Sequence, residues 1–221
     1  MTPQYPSGMI ITGGGSMDYD KQIDKIKEIA NKILPNQVTV LTGKNGCGKS
    51  LVRKLVGFYV ADKLGLDKNH PVAAATSLQQ RTESRPDFGA LSSMMHDDPT
   101  NSTSSETFSK IKALFNSCLS GSKRFLIIDE PEIGMGEELV VSLVNWLNLK
   151  LDPLPENCHG VLVITHNRYI VKHLKSSFIN FDDMTREEWL NREIVPVDFE
   201  TFEKESSELF HAIQTKLNSK E

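Results

Sequence analysis

The sequence predicts an α/β fold with a mainly parallel central sheet flanked by helices. Two short, continuous apolar runs, Phe125–Ile128 and Val161–Ile164, are typical of strands buried on both faces of a sheet. They alternate with segments whose apolar residues recur at a helical period, such as Asp18–Ile33 and Phe108–Leu119. A glycine-rich stretch also separates the apolar run Val38–Thr42 from another helical segment. Strands that alternate with helices in this way favour a parallel sheet.

Length, composition and charge limit the classes of protein. The 221 residues predict one domain, 1–221, and the net charge of −4 gives no global electrostatic footprint for nucleic acid. No apolar run is long enough to span a bilayer, and residues 1–6 lack the pattern of a signal peptide, so we expect a cytoplasmic protein. Three widely spaced cysteines, Cys47, Cys118 and Cys158, indicate neither a disulfide framework nor a zinc site.

The first half of the chain predicts a helix, a strand, a second helix and a variable region. The helix from Asp18 ends at Pro35-Asn36, and the helix after the glycines extends to about Lys63. The run Val72–Leu78 is a candidate buried strand. Residues 79–105 are rich in Ser, Asp and Thr and predict a loop or a small lobe.

The second half predicts further alternation of helices with the two apolar strands. Thr185-Arg186-Glu187-Glu188 has the pattern of a capping box, which predicts the start of a short helix. The other predicted elements are the helix Phe108–Leu119, the helix Glu137–Lys150, the helix Asn167–Leu174, the short strand Phe178–Phe181 and a final amphipathic helix from Asp198 to about Leu217.

The glycine-rich stretch fits the P-loop pattern, with four residues between Gly43 and Gly48-Lys49-Ser50. Glycines let backbone N–H groups approach phosphates closely, and the following helix directs its positive end at them. The Lys49 ammonium would bridge the β- and γ-phosphates of ATP, and the Ser50 hydroxyl would bind Mg²⁺. A glycine-rich turn with a chance Lys-Ser pair is the alternative. The predicted ATP-binding residues are Gly43, Lys44, Asn45, Gly46, Cys47, Gly48, Lys49, Ser50 and Leu51.

Polar side chains follow both apolar strands. Asp129 and Glu130 end the first, at the sheet edge where α/β folds bind ligands. Asp129 would hold Mg²⁺ opposite Ser50, and Glu130 would orient or deprotonate the attacking water. His166 follows the second strand and would sense the γ-phosphate, because an imidazole can donate to a phosphate oxygen without a full charge. The alternatives are a solvated acidic pair and a surface histidine.

In this order, the three motifs resemble those of the ATP-binding-cassette (ABC) ATPases. Gly43–Ser50 resembles their Walker A motif, Phe125–Glu130 resembles Walker B with its catalytic glutamate, and His166 matches the switch histidine. Asp129–Met135 is similar to the form in soluble RecF/SMC-like and OLD-type members of this group (AAA family ATPases), whereas transporters usually carry Thr-Ser-x-Leu-Asp after the proline. The resemblance covers about residues 36–181.

The resemblance also implies elements that this sequence carries in altered form. A glutamine loop with a metal-binding glutamine is expected, and Gln79 or Gln80, preferably Gln79, is the candidate. The lobe at about 79–105 is shorter than in transporters, no coiled coil is inserted, and residues 182–221 form a helical extension. The signature that binds ATP in trans has only a glycine-free counterpart, at Ser102-Thr103-Ser104-Ser105-Glu106. Its signature-like residues are Ser102, Ser104, Ser105 and Glu106.

The resemblance implies an enzyme, an ATP hydrolase that uses ATP and Mg²⁺. Such a protein would form a homodimer, or a hetero-assembly with a protein that carries the output, and a role in DNA repair or phage defence is suggested by analogy. Nucleic-acid binding is not indicated by the charge. The alternatives are a nucleotide-dependent scaffold that does not hydrolyse ATP and the ATPase subunit of a transporter; a small-molecule P-loop kinase would not need Glu130 and His166 together.

Overall fold

The structure is a computed structural model that describes residues 19–43, 49, 60, 73–74, 103–119, 123–195, 198–200, 203–204 and 207–208. Its helices are α1 (Tyr19–Lys32), α2 (Thr103–Leu119), α3 (Glu137–Leu151), α4 (Arg168–His173) and α5 (Arg186–Asn191). Its strands are β1 (Val38–Thr42), β2 (Ala73–Ala74), β3 (Arg124–Asp129), β4 (Cys158–Ile164) and β5 (Ser177–Asn180). None of the helices described here is long and apolar enough to cross a membrane.

The described strands form one parallel sheet in the order β2-β3-β4-β1-β5. The strand that precedes the glycine-rich stretch, β1, therefore lies beside β4, and β4 separates it from β3. Leu41 of β1 and Asp129 of β3 are both paired with Ile164 of β4, so the three strands end at the same level. The predicted α/β class, with a mainly parallel sheet flanked by helices, is confirmed.

Both faces of the sheet are covered, as the continuous apolar runs predict. One face packs against α2, α3, α4 and α5, and the other packs against α1 and the buried Val60. Alternate residues of each strand point to opposite sides, so Leu126 and Ile128 join the first core while Phe125 and Ile127 join the second. The apolar runs are therefore explained by helices on both sides.

Several bounds differ from the sequence-based predictions. The helix α2 begins at Thr103, so the last residues of the predicted variable region are helical. Within β2 only Ala73–Ala74 is described, and the rest of the candidate strand 72–78 lies outside the described residues. Leu119 and Leu139 are apolar, yet they are 73% and 48% exposed. Both lie at helix ends, where fewer neighbouring elements can cover a side chain.

Candidate active site

The carboxyl ends of β1, β4 and β3 are joined by backbone hydrogen bonds that continue just past the strands. The Thr165 N–H donates to the Leu41 carbonyl at 3.1 Å, and the Glu130 N–H donates to the Ile164 carbonyl at 2.8 Å. The segments that carry the predicted P-loop, the histidine and the acidic pair therefore leave the sheet side by side. This is the edge at which open parallel sheets bind ligands.

Lys49 is buried, with 8% of its surface exposed, and has helical backbone geometry. Its Nζ lies 3.4 Å from the carbonyl oxygen of Gly43 and donates a hydrogen bond to it. The ammonium thus lies beside the backbone of Gly43, the residue that follows β1. The other predicted ATP-binding residues, 44–48, 50 and 51, lie outside the described residues.

The two acidic residues after Ile128 have different environments. Asp129 ends β3 and is 5% exposed, whereas the Glu130 side chain is about one-third exposed. Glu130 has φ of +49°, a left-handed conformation that costs a non-glycine residue roughly 1–3 kcal/mol. The Glu130 Oε1 lies 4.0 Å from His166 Nε2. The strained backbone therefore coincides with a carboxylate that faces the predicted γ-phosphate sensor.

His166 is held in its neutral form. Burial, followed by the positive charges of Lys49 and Arg192, lowers the pKa of the imidazole from 6.5 to about 4. A neutral imidazole has one ring N–H donor and one acceptor nitrogen. A neutral imidazole can donate to a phosphate oxygen without adding a charge, and the role of His166 as a γ-phosphate sensor stays a prediction.

Glu132 lies at the centre of the same cluster, and the sequence analysis missed it. Its Oε1 accepts a hydrogen bond of 2.6 Å from the Thr165 hydroxyl and one of 3.2 Å from the His166 backbone N–H. Burial raises the pKa of this carboxyl, while those two hydrogen bonds act in the opposite direction and the neighbouring Glu130 charge raises it further. Its Oε2 is buried and has no hydrogen-bond partner among the residues that the structure describes.

Asn180 of β5 holds the end of β1 through its buried side-chain amide. The Asn180 Nδ2 donates to the Thr42 Oγ1 at 2.8 Å, and the Phe181 N–H donates to the Thr42 carbonyl at 3.0 Å. The Asn180 Oδ1 in turn accepts from the Asp182 backbone N–H at 2.8 Å. The residue immediately before Gly43 is thus fixed by both its backbone and its side chain.

One oxygen donor for a magnesium ion is in place. Mg²⁺ is usually held by one or two carboxylates together with waters and substrate phosphates, and the buried Asp129 fits that role. The other predicted metal-binding residues, Ser50 and Gln79, and also Gln80, lie outside the described residues. Among the residues that the structure describes, no three His, Cys, Asp or Glu side chains are grouped to hold a metal by themselves.

The signature-like residues lie at the start of a helix. Ser104, Ser105 and Glu106 belong to the first turn of α2, and Ser102 lies outside the described residues. Glu106 is in the position where a negative charge stabilises a helix N-terminus. Their predicted contact with ATP in a second protomer stays a prediction.

A cavity of about 720 Å³ lies between α4 and α5, and its lining includes neither Glu130 nor His166. It includes the cations Arg168, Lys172 and Arg186. The P-loop residues 44–48, which complete the predicted phosphate site, fall outside the described residues. The volume of this cavity therefore does not identify the predicted active site.

Comparisons with known proteins give only remote likenesses. No family model and no curated protein match the sequence. Among solved structures, the chain is similar to the Aeropyrum pernix ORC2 protein in its ADPNP-ADP complexes (TM-score 0.38, 11% identity, 73% of this chain and 46% of that chain). It is also similar to a chain of the E. coli MS115-1 HORMA:CdnC:Trip13 complex (TM-score 0.38, 11% identity, 74% and 58%).

A third likeness is to the structure of Drosophila ORC bound to AT-rich DNA and Cdc6 (TM-score 0.36, 12% identity, 78% of this chain and 29% of that chain). The chain thus spans between 29% and 58% of the length of these three structures. At TM-scores this low, the likenesses carry no argument about family or activity. The argument about function depends on the residues at the sheet edge.

Proposed function

We propose that this protein is an ABC-type ATPase of the RecF/SMC-like or OLD-type group. It binds and hydrolyses Mg-ATP between two protomers, and the closing and opening of that pair controls a partner. The observation that supports this most directly is the Glu130–His166 pair, 4.0 Å apart, at the edge where β1 leads into Gly43 and the buried Lys49. A cation, a carboxylate and a neutral imidazole meet there, beside the buried Asp129.

Each of these side chains has a distinct role in the proposed reaction. Lys49 offsets the charge of the β- and γ-phosphates, and Glu130 orients and deprotonates the attacking water. His166 donates its ring N–H to a γ-phosphate oxygen. Asp129 would hold a Mg²⁺ ion, whose charge would neutralise that of the phosphates.

The contact between Glu130 and His166 also suggests how the site distinguishes bound states. Without nucleotide, His166 Nε2 lies 4.0 Å from Oε1 of the Glu130 carboxylate, which is beyond hydrogen-bond distance. A γ-phosphate would offer the imidazole a hydrogen-bond acceptor and leave Glu130 for the attacking water. Such a γ-phosphate-dependent rearrangement is the kind of two-state change that can drive closure and opening.

The second candidate is a module that binds ATP and does not hydrolyse it. It is favoured by one observation: Ser104 and Ser105 lie within the first turn of α2, and no glycine accompanies them to allow close backbone approach to a phosphate. A function in DNA repair or phage defence, and the ATPase subunit of a transporter, are proposals that come from the sequence resemblance alone.

The deciding experiment measures the molar mass in solution with and without Mg-ATP. The rate of ATP hydrolysis is measured on the same variants. We expect Glu130→Gln to lower hydrolysis by roughly two to four orders of magnitude and to trap an ATP-dependent dimer. Lys49→Ala should abolish ATP binding. Glu137→Gln, a change at an exposed carboxylate in the first turn of α3, is the matched control and should behave as the wild type.

Three outcomes separate the candidates. ATP-dependent dimerisation trapped by Glu130→Gln supports the ATPase. Tight ATP binding with no measurable turnover in the wild type supports the binding module. If Lys49→Ala binds ATP as well as the wild type does, the assignment of the P-loop is wrong and both candidates fail.

A further inference from the structure

The Glu132 carboxyl links two segments that leave neighbouring strands. After Glu130, residues 131–134 form a turn, in which the Ile133 N–H donates to the Glu130 carbonyl at 3.1 Å. This turn directs Glu132 towards the end of β4. Its Oε1 there accepts from both the Thr165 hydroxyl and the His166 backbone N–H.

The hydrogen-bond chain continues into α4. The Thr165 Oγ1 accepts a hydrogen bond of 2.9 Å from the Asn167 N–H. Asn167 then caps α4, because its Oδ1 accepts from the backbone N–H groups of Tyr169 and Ile170. The backbone on both sides of His166 is therefore tied, through Thr165, to a single oxygen of Glu132.

A carboxyl is a costly choice for this position unless its acceptor oxygen is needed. Burial penalises the charged form, and within the described part of the chain Oε2 finds no hydrogen-bond partner. Oε1, by contrast, accepts two hydrogen bonds, one of them short. The arrangement stabilises one geometry of the Thr165–His166 segment and gains little from the second oxygen.

We propose that Glu132 is a positioning residue, whose Oε1 holds the Thr165–His166 segment against the turn that carries Glu130. This inference rests on the proposed function, in which Glu130 and His166 act on the γ-phosphate. In this role Glu132 acts on the reaction through the Thr165–His166 segment, not by contact with the nucleotide. It fixes where the imidazole lies when the nucleotide is bound by other residues.

The expected kinetic effect follows from this division of roles. Nucleotide affinity depends on the P-loop around Lys49, so loss of the Glu132 acceptor should lower kcat and leave KM within about threefold. We expect Glu132→Met, which has a similar shape and no acceptor, to lower kcat tenfold or more. Glu132→Gln keeps an acceptor oxygen and should stay within about threefold of the wild type.

Thr165 provides the second arm of a double-mutant cycle. Thr165→Val removes the hydroxyl that donates to Glu132 and should lower kcat as Glu132→Met does, whereas Thr165→Ser keeps the hydroxyl. Because both substitutions break the same contact, the double variant should be little worse than either single variant. If Glu132→Met fails to fold, the comparison of Thr165→Val with Thr165→Ser decides the matter.

A measurement without nucleotide separates this inference from the proposed function. Hydrogen exchange of the His166 amide should be slow in the wild type and in Glu132→Gln, and at least tenfold faster in Glu132→Met. If the wild type neither binds nor hydrolyses ATP, the proposed function fails and the exchange result alone decides the positioning role. The inference is overturned if the His166 amide stays protected in Glu132→Met, if Glu132→Gln is as damaging as Glu132→Met, or if KM rises in step with the loss of kcat.

Discussion

The neutral state of His166 leads to a prediction about the pKa of its imidazole. With a pKa of about 4, the imidazole is protonated to only about 1% at pH 6, whereas an unperturbed histidine is roughly three-quarters protonated there. The perturbation we would apply is Lys49→Met, which removes one of the two positive charges that lower this pKa. Burial is the larger cause and persists, so the pKa should rise but stay below 6.5.

The assay is an NMR titration of the histidine rings in the nucleotide-free protein, with His166→Asn used to assign the signal. Lys175→Met is the matched control, because Lys175 is exposed and its ammonium pairs with Asp152 at 3.0 Å. It should leave the pKa of His166 unchanged. A wild-type pKa at or above 6.5, or a pKa that ignores the loss of Lys49, would refute the account of the site given above.

The same shift has a consequence for stability, with a definite sign. The unfolded chain binds a proton on His166 below pH 6.5, whereas the folded protein does so only below about 4. Between these values the unfolded state holds more protons, so the contribution of His166 to the free energy of unfolding falls as the pH is lowered from 6.5 to 4. Urea denaturation at several pH values should show a shallower loss in His166→Asn.

Two further predictions concern the fold. Gly160 has φ of +136°, and an added Cβ would lie 2.8 Å from the Phe125 ring, so Gly160→Ala should lower the free energy of unfolding by about 2–4 kcal/mol. At Gly136, the nearest atom to an added Cβ is Glu138 Oε2, at 3.5 Å, so Gly136→Ala should lower the free energy of unfolding by about 1 kcal/mol or less. Equal losses for Gly160→Ala and Gly136→Ala in urea denaturation would contradict this account. Thr185→Ala removes the capping box of α5 and should lower the free energy of unfolding by about 1 kcal/mol. Thr185→Ser keeps the hydroxyl and should restore that free energy. An unchanged denaturation midpoint for Thr185→Ala would show that the cap contributes nothing.

Local signals in the sequence predict the elements whose causes are themselves local. The continuous run at Val161–Ile164 gives β4, since only a strand covered on both sides tolerates it. Thr185 and Glu188 form the predicted capping box, in which both bonds are present. The proximity of Glu130 and His166 is also predictable, because the carboxyl ends of parallel strands meet at one edge.

What the sequence could not predict depends on neighbours that are distant along the chain. The partner of Glu132 is Thr165, 33 residues later, and the contact requires both that β3 and β4 are adjacent and that Glu130 turns the backbone. The sequence shows an acidic residue directly after Asp129-Glu130-Pro131. It does not show which residues that carboxyl contacts. The start of α2 was missed because several consecutive Ser and Thr residues near Ser102 can each begin a helix.

The position of β4 in the sheet also sets the distance between the ends of β1 and β3. Because β4 separates β1 from β3, the ends of the strands that lead to Lys49 and Glu130 are two strand spacings apart, roughly 9.6 Å. A molecule that touches both must extend across the end of β4, directly past His166. The strand order alone therefore places any ligand that bridges the ends of β1 and β3 beside Thr165 and His166, which follow β4.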